Sequence, residues 1–185
     1  MNIEIIAGSP RKNSVNFRVA LYLKALLQER TEHEVNIIDV RQWPLPLQEM
    51  VFSTVEKTPD AFKPLAQQVL AADALILVSP EYNGSYTSAL KNLMDYFPKQ
   101  SRKAMGIVTT SPGAMGGMRA SQQMQLLVGA LFGILSPYML ITPGVDKKFD
   151  AEGNLLDPTF QKAVDTFVSE FLWLAESLKP EPVVA

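Results

Sequence analysis

The 185 residues contain no cysteine and a single histidine. The missing cysteine excludes a disulfide framework, a thiolate nucleophile, cysteine-ligated zinc and the cysteine type of phosphatase chemistry. Any redox chemistry has to come from a bound cofactor. An excess of charge of one sign is also missing: 17 Lys and Arg stand against 19 Asp and Glu, a formal net charge of −2 with the signs interspersed. That balance offers no basic face to nucleic acid or to an anionic membrane, so small molecules or proteins are the expected partners. No apolar run reaches the roughly 18 residues of a membrane span. Met1 leads straight into the strand-like Asn2–Ala7 (NIEIIA), without the basic region, apolar segment and cleavage pattern of a secretory signal. A soluble cytoplasmic protein is expected. Neither GxxxxGK[ST] nor GxGxxG occurs, which disfavours ATP and any dinucleotide held first by its pyrophosphate.

The chain is rich enough in apolar residues, at 47%, to fill one substantial core. One domain over residues 1–179 is expected, with a frayed tail at 180–185. Five short apolar or β-branched runs bounded by turn residues read as buried strands: Ile3–Ala7, Glu34–Val40, Ala74–Ser79, Ala104–Thr110 and Tyr138–Thr142. Between and after them, helical spacing predicts helices over Asn16–Arg30, Asp60–Ala72, Ser88–Phe97, Met118–Phe132 and Pro158–Leu178. Alternating strands and helices argue for an α/β fold with a five-stranded parallel sheet covered on both faces. Pro44, Pro46 and Pro59 mark an extended loop that could roof part of a crevice. Asp146–Asp157 reads as a surface loop or small ribbon and lacks the acidic spacing of an EF-hand.

Three segments follow strands and lead into helices: Gly8–Asn16 (GSPRKNSVN), Pro80–Asn92 (PEYNGSYTSALKN) and Thr110–Arg119 (TSPGAMGGMR). In an open parallel sheet such loops line one ligand crevice. The first offers Ser9, Arg11, Ser14 and Asn16 just before a helix, whose free N–H groups and positive dipole end favour anions. A guanidinium plus short polar side chains suits a phosphate monoester. On its own, however, Ser14 could be a helix cap and Arg11 a solvated charge. In the second, Asn83-Gly84 is a hairpin signal, but Leu90, Leu93, Met94 and Phe97 at helical spacing make the turn lead into a helix. Pro80 keeps the chain extended and Gly84 permits close backbone approach to a flat ligand. In the third, Gly113, Gly116 and Gly117 beside Ser111 could present backbone donors to an anionic ring edge, or form a plain flexible turn.

Taken together, these motifs resemble those of the NADPH-dependent FMN reductases, a family that includes quinone, azo-dye and chromate reductases. GSPRKNSVN is similar to its GSxRxxSxN phosphate loop, PEYNGSYTSALKN to its PEYNGSxxxxLKN segment, and SPGAMGG to its glycine-rich third loop. The resemblance spans about residues 1–175. It implies a flavodoxin-like three-layer sandwich with strand order 2-1-3-4-5. It implies that Ser9, Arg11, Ser14 and Asn16 hold the FMN phosphate. Pro80, Glu81, Tyr82, Asn83 and Gly84 would border the ring system and ribityl chain, and Ser111, Gly113, Gly116 and Gly117 the pyrimidine side. NADPH or NADH would be the electron donor, a quinone, azo compound or other small molecule the acceptor, and a homodimer or homotetramer the assembly. No catalytic acid or base is implied. Two positions depart from the family: Thr87 and Ser88 stand where proline or glycine is frequent, and Tyr96 where tryptophan is common. The alternative is a flavodoxin-type one-electron carrier, against which Arg11 argues.

Other residues read as structural. His33 falls between a helix and a strand, away from all three loops, as a solvated loop residue. Met94, Met105, Met124 and Met139 sit in core patterns, whereas Met115 and Met118 adjoin the third loop and could touch substrate. Trp173 lies opposite the apolar stripe of the last helix, exposed or covered by another subunit. Trp43 is either core or crevice wall, and Arg102 and Lys103 form a solvated lead-in to a strand.

Overall fold

A computed structural model describes residues 1–179, so the frayed tail expected at 180–185 lies outside the described residues. The strands are β1 (Asn2–Ala7), β2 (Glu34–Asp39), β3 (Ala74–Pro80), β4 (Ala104–Ser111), β5 (Ile134–Leu135) and β6 (Leu140–Pro143). The helices are α1 (Val15–Arg30), α2 (Lys63–Ala71), α3 (Ser88–Asp95), α4 (Met118–Ala130), α5 (Val145–Lys148) and α6 (Gln161–Ser177). All strand pairings within the sheet are parallel, in the order β2-β1-β3-β4, with β5 and β6 both on the far side of β4. The expected strand order and flavodoxin-like architecture are present.

One expectation is corrected at the edge. The fifth strand position is shared by two short segments, β5 against Ala104 and Met105 and β6 against Val108–Ser111. Pro137, which has no amide proton to give to a ladder, falls in the interruption. The predicted strand over Tyr138–Thr142 therefore begins at Leu140, and the two-residue β5 is too short to stand out in the sequence.

Alternation along the strands sends side chains to two cores. Ile3, Ile5, Ile76 and Val108 pack under α1 and α6 with Leu23, Leu27, Phe167 and Phe171, while Ile6, Leu75, Leu77 and Ile107 face α2, α3 and α4 with Leu65, Leu93 and Met124. The proline-rich segment does not roof the crevice. It crosses α3, where Asn92 Nδ2 donates to the Pro46 carbonyl at 2.7 Å and the Gln48 amide donates to Asn92 Oδ1 at 3.0 Å. Its Phe52 is buried among Phe62, Tyr96 and Phe97, with ring centroids 4.7–5.7 Å apart. Residues 146–157 comprise most of α5 and a small ribbon closed by pairing of Phe149 with Leu155.

His33 is more covered than a solvated loop residue: its Nε2 lies 3.1 Å from Glu176 Oε1 on α6, and its side chain is 19% exposed. Lys103 is likewise drawn inward, donating from Nζ to the Val69 carbonyl at 3.0 Å, and burial pushes its pKa down. Trp43 packs against the second core, and Trp173 is 60% exposed.

Candidate functional site

A cleft of about 150 Å³ opens where β1, β3 and β4 end. The first loop supplies one wall. The Gly8 amide donates to the Val78 carbonyl at 2.8 Å, continuing the alignment of β1 with β3 before the chain turns away. Ser9, Arg11, Asn13, Ser14, Val15 and Asn16 follow as lining residues. Ser14 occupies the cap position of α1 yet makes no side-chain capping bond. Its Oγ is buried without a partner, and so is Oδ1 of Asn16, whose Nδ2 donates to Thr110 Oγ1 at 3.3 Å. A buried polar atom left unpaired costs about 1–3 kcal/mol. Two of them, two residues apart on a cleft wall, point to a ligand as the missing partner. Arg11 is exposed and, among the described residues, without a carboxylate partner, and its guanidinium carbon stands 4.7 Å from the centre of the Tyr82 ring, spanning the cleft from the first loop to the second.

The second loop contributes Pro80, Glu81 and Tyr82 to the cleft, but its tip does not reach the wall. Asn83 and Gly84 both have positive φ, 50° and 82°, and Tyr82 and Ser85 exchange backbone hydrogen bonds of 2.8 and 3.0 Å. This is the tight type I′ turn that Asn-Gly favours. It is followed, as expected, by a helix. Glu81 also reaches across to the third loop, where its Oε2 accepts from the amides of Arg119 at 3.1 Å and Ala120 at 3.4 Å, capping α4.

The third loop delivers Thr110, Ser111 and Pro112 to the cleft. Two of its glycines are turned elsewhere. Gly116, at φ 60°, would place a Cβ 2.7 Å from Ile141 Cγ2 and 2.8 Å from the Pro143 nitrogen, and Gly117, at φ 91°, one 2.8 Å from Thr109 Cβ. The Gly113 amide donates to Ser111 Oγ at 3.0 Å. Thus the structure brings together Ser9, Arg11, Ser14, Asn16, Pro80, Glu81, Tyr82 and Ser111, and sets Asn83, Gly84, Gly113, Gly116 and Gly117 outside the cleft wall. At the start of α4, the amides of Arg119 and Ala120 bond Glu81.

Five lining residues are not among the predicted site residues: Asn13, Val15, Thr110 and Pro112, which lie within the three segments, and Val145, which lies outside them. Thr110 reads as the end of a strand, although the last side chain of a central strand is a natural crevice position. Val145 arrives at the cleft only because β6 lies beside β4. Among the described residues, no group of three or more His, Asp or Glu is placed to hold a metal ion, and no helix is long and apolar enough to cross a membrane.

The sheet order, the two helical layers and a cleft at the strand ends define a flavodoxin-like α/β protein. The chain belongs to the NADPH-dependent FMN reductase family, whose model matches residues 1–141. It is 30% identical over 178 residues to a quinone reductase of Pseudomonas putida, covering 91% of this chain and 93% of that protein. It is 32% identical over 185 residues to an FMN-dependent NADPH-azoreductase of Staphylococcus aureus, covering 91% and 92%. Its fold is similar to that of the flavoenzyme NAD(P)H:(acceptor) oxidoreductase FerB of Paracoccus denitrificans, with a TM-score of 0.76 at 21% identity over 95% of this chain and 97% of that one. A flavodoxin variant from Pseudomonas aeruginosa shares the fold with a TM-score of 0.59 at 17% identity, over 95% of this chain and 99% of that one.

Proposed function

We propose that this protein is an FMN-dependent NAD(P)H oxidoreductase that reduces a quinone, an azo compound or another small electron-poor acceptor. The observation that carries the reading is the buried hydroxyl of Ser14, a donor left without an acceptor among the described residues, in the cleft wall that Arg11 crosses. Membership of the family and the names of its relatives support the same reading.

The residues fit a terminal phosphate monoester. Arg11 would turn from Tyr82 to give forked, charge-assisted bonds, the hydroxyls of Ser9 and Ser14 would donate to phosphate oxygens, and Asn16 would brace the loop through Thr110. FMN, when bound, supplies the two-electron chemistry by taking hydride from the nicotinamide and giving electrons to the acceptor. Pro80, Glu81 and Tyr82 on one side and Ser111 and Pro112 on the other would hold its flat ring between the second and third loops, with Asn83, Gly84, Gly113, Gly116 and Gly117 shaping the backbone behind them. The chain's part is to bind and orient, since no side-chain acid or base is required for hydride transfer. The three loops meet at a single opening at the strand ends, and with no dinucleotide fingerprint in the sequence, donor and acceptor visit that opening in turn, a ping-pong order. The reading includes one domain over residues 1–179, a cytoplasmic location, neither nucleic-acid nor membrane partners, and a homodimer or homotetramer.

The test is to load the purified protein with FMN or FAD, release the bound flavin and identify it, then add NADPH or NADH without oxygen. FMN should be retained over FAD, the nicotinamide should bleach the flavin within one turnover, and steady-state rates at several acceptor concentrations should give parallel double-reciprocal lines. Flavin that stays oxidised for hours with NAD(P)H, yet is reduced by a chemical reductant, would replace this reading with that of an electron-carrying flavodoxin.

A further inference from the structure

We propose that Thr87 is a positioning residue: its hydroxyl locks the start of α3 to the Gly8 carbonyl and so fixes the first loop relative to the second. The inference rests on reading the cleft as an FMN site. It concerns Thr87, one of the two neighbouring positions, with Ser88, near which the family it resembles often carries proline or glycine, neither of which has a hydroxyl.

Thr87 is completely buried, and its hydrogen bonds reach the first loop, α3 and the end of β3. Its Oγ1 donates to the carbonyl of Gly8, the residue that opens the first loop. The same oxygen accepts from the Leu90 amide at 3.1 Å, capping α3. Its own amide donates to Ser79 Oγ at 3.1 Å, and Ser79 Oγ in turn donates to the carbonyl of Pro80, the residue that opens the second loop. Leu90 packs so tightly on Gly8 that a Cβ there would stand 2.9 Å from Leu90 Cβ. The first turn of α3 therefore bears on the roots of both loops, and one hydroxyl joins them.

The consequence is directional. Gly8 precedes Ser9 and Arg11 by one and three residues, so a shift of its peptide moves the groups proposed to hold the phosphate. The residues beside the flat ring, Tyr82 and Ser111, are anchored elsewhere, by the Tyr82–Ser85 turn and by β4. Losing the Thr87 hydroxyl should weaken phosphate recognition much more than ring recognition.

The experiment compares wild type, Thr87→Val, Thr87→Ser and Ser79→Ala. Flavin titrations should show Thr87→Val raising the FMN dissociation constant about tenfold. Riboflavin affinity should change by less than about threefold, Thr87→Ser should restore FMN binding, and Ser79→Ala should shift it in the same direction by less. Amide hydrogen exchange in the ligand-free proteins should speed up over residues 8–15 in Thr87→Val and stay unchanged in α6. Equal loss of FMN and riboflavin, failure of Thr87→Ser to restore binding, or unchanged exchange over residues 8–15 would overturn the positioning role. If wild type binds neither flavin, the functional reading falls, while the exchange comparison still decides whether Thr87 holds the loop.

Discussion

The first and third loops start alike, each leaving a central strand and entering a helix, yet they meet the cleft in opposite ways. The first presents side chains and leaves two buried oxygens, on Ser14 and Asn16, without partners. The third closes on itself and its neighbours: Gly116 is pressed against β6, Gly117 against β4, and the α4 amides of Arg119 and Ala120 are occupied by Glu81. The first loop thus keeps polar atoms unpaired at the cleft, whereas Gly116 and Gly117 mark backbone that has to fit other backbone.

The largest effect that could break this contrast is on stability. Gly116→Ala combines a left-handed backbone, costing roughly 1–2 kcal/mol, with overpacking against Ile141 and Pro143 worth roughly 1–3 kcal/mol. Urea denaturation should show a loss of about 2–5 kcal/mol. A stable Gly116→Ala protein that has lost flavin binding would move this glycine to the ligand side of the loop.

The next effect tests whether every orphaned oxygen signals a ligand. Oε2 of Glu4 is also buried without a partner, but it lies away from the cleft, between Asn36 of β2 and the Gln67 and Gln68 side of α2. Burial pushes the Glu4 carboxyl from its usual 4.5 up to about 7, which outweighs the lowering by its hydrogen bond from Asn36. The folded protein then keeps a proton that the unfolded chain releases. Stability should fall as pH rises from about 4.5 to about 7, by up to roughly 3 kcal/mol. Glu4→Gln should flatten that slope and be the more stable protein at pH 8, as read by unfolding midpoints across the range. An unchanged slope would mean that Glu4 ionises freely and that its free oxygen needs another explanation.

A comparable effect, on binding instead of stability, belongs to the first loop. Arg11→Ala should weaken FMN by about tenfold to a hundredfold, the equivalent of roughly 1.5–3 kcal/mol for a charge-assisted bond, while riboflavin suffers less. Equal loss for both flavins would mean that Arg11 serves the cleft through its stack on Tyr82.

The smallest effect sharpens the contrast from the third loop's side. Glu81→Gln keeps an acceptor for the α4 amides but removes the charge at the helix start, a loss of about 0.3–1 kcal/mol. Thermal unfolding should register it with little change in flavin affinity. A large loss of flavin with unchanged stability would make Glu81 a ligand group.

Much of this was legible in order along the chain. The alternating apolar runs determined the strands, their parallel pairing and the two helical layers, because burying both faces of a sheet demands apolar residues on both faces of each central strand. Ser9, Arg11, Ser14 and Asn16 could be grouped because eight consecutive residues entering a helix have few other arrangements. Only the tertiary structure decided which glycines shape backbone and which groups stay unpaired. The neighbours of Gly116 come from β6, and the partner of Asn16 from the end of β4. The acceptor for the Thr87 hydroxyl lies 79 residues earlier, and the cap for α4 lies in the second loop. Sequence periodicity reports which face a residue turns inward. It carries no record of what arrives from distant strands to meet it, and in this protein those arrivals decide which polar groups are left unpaired.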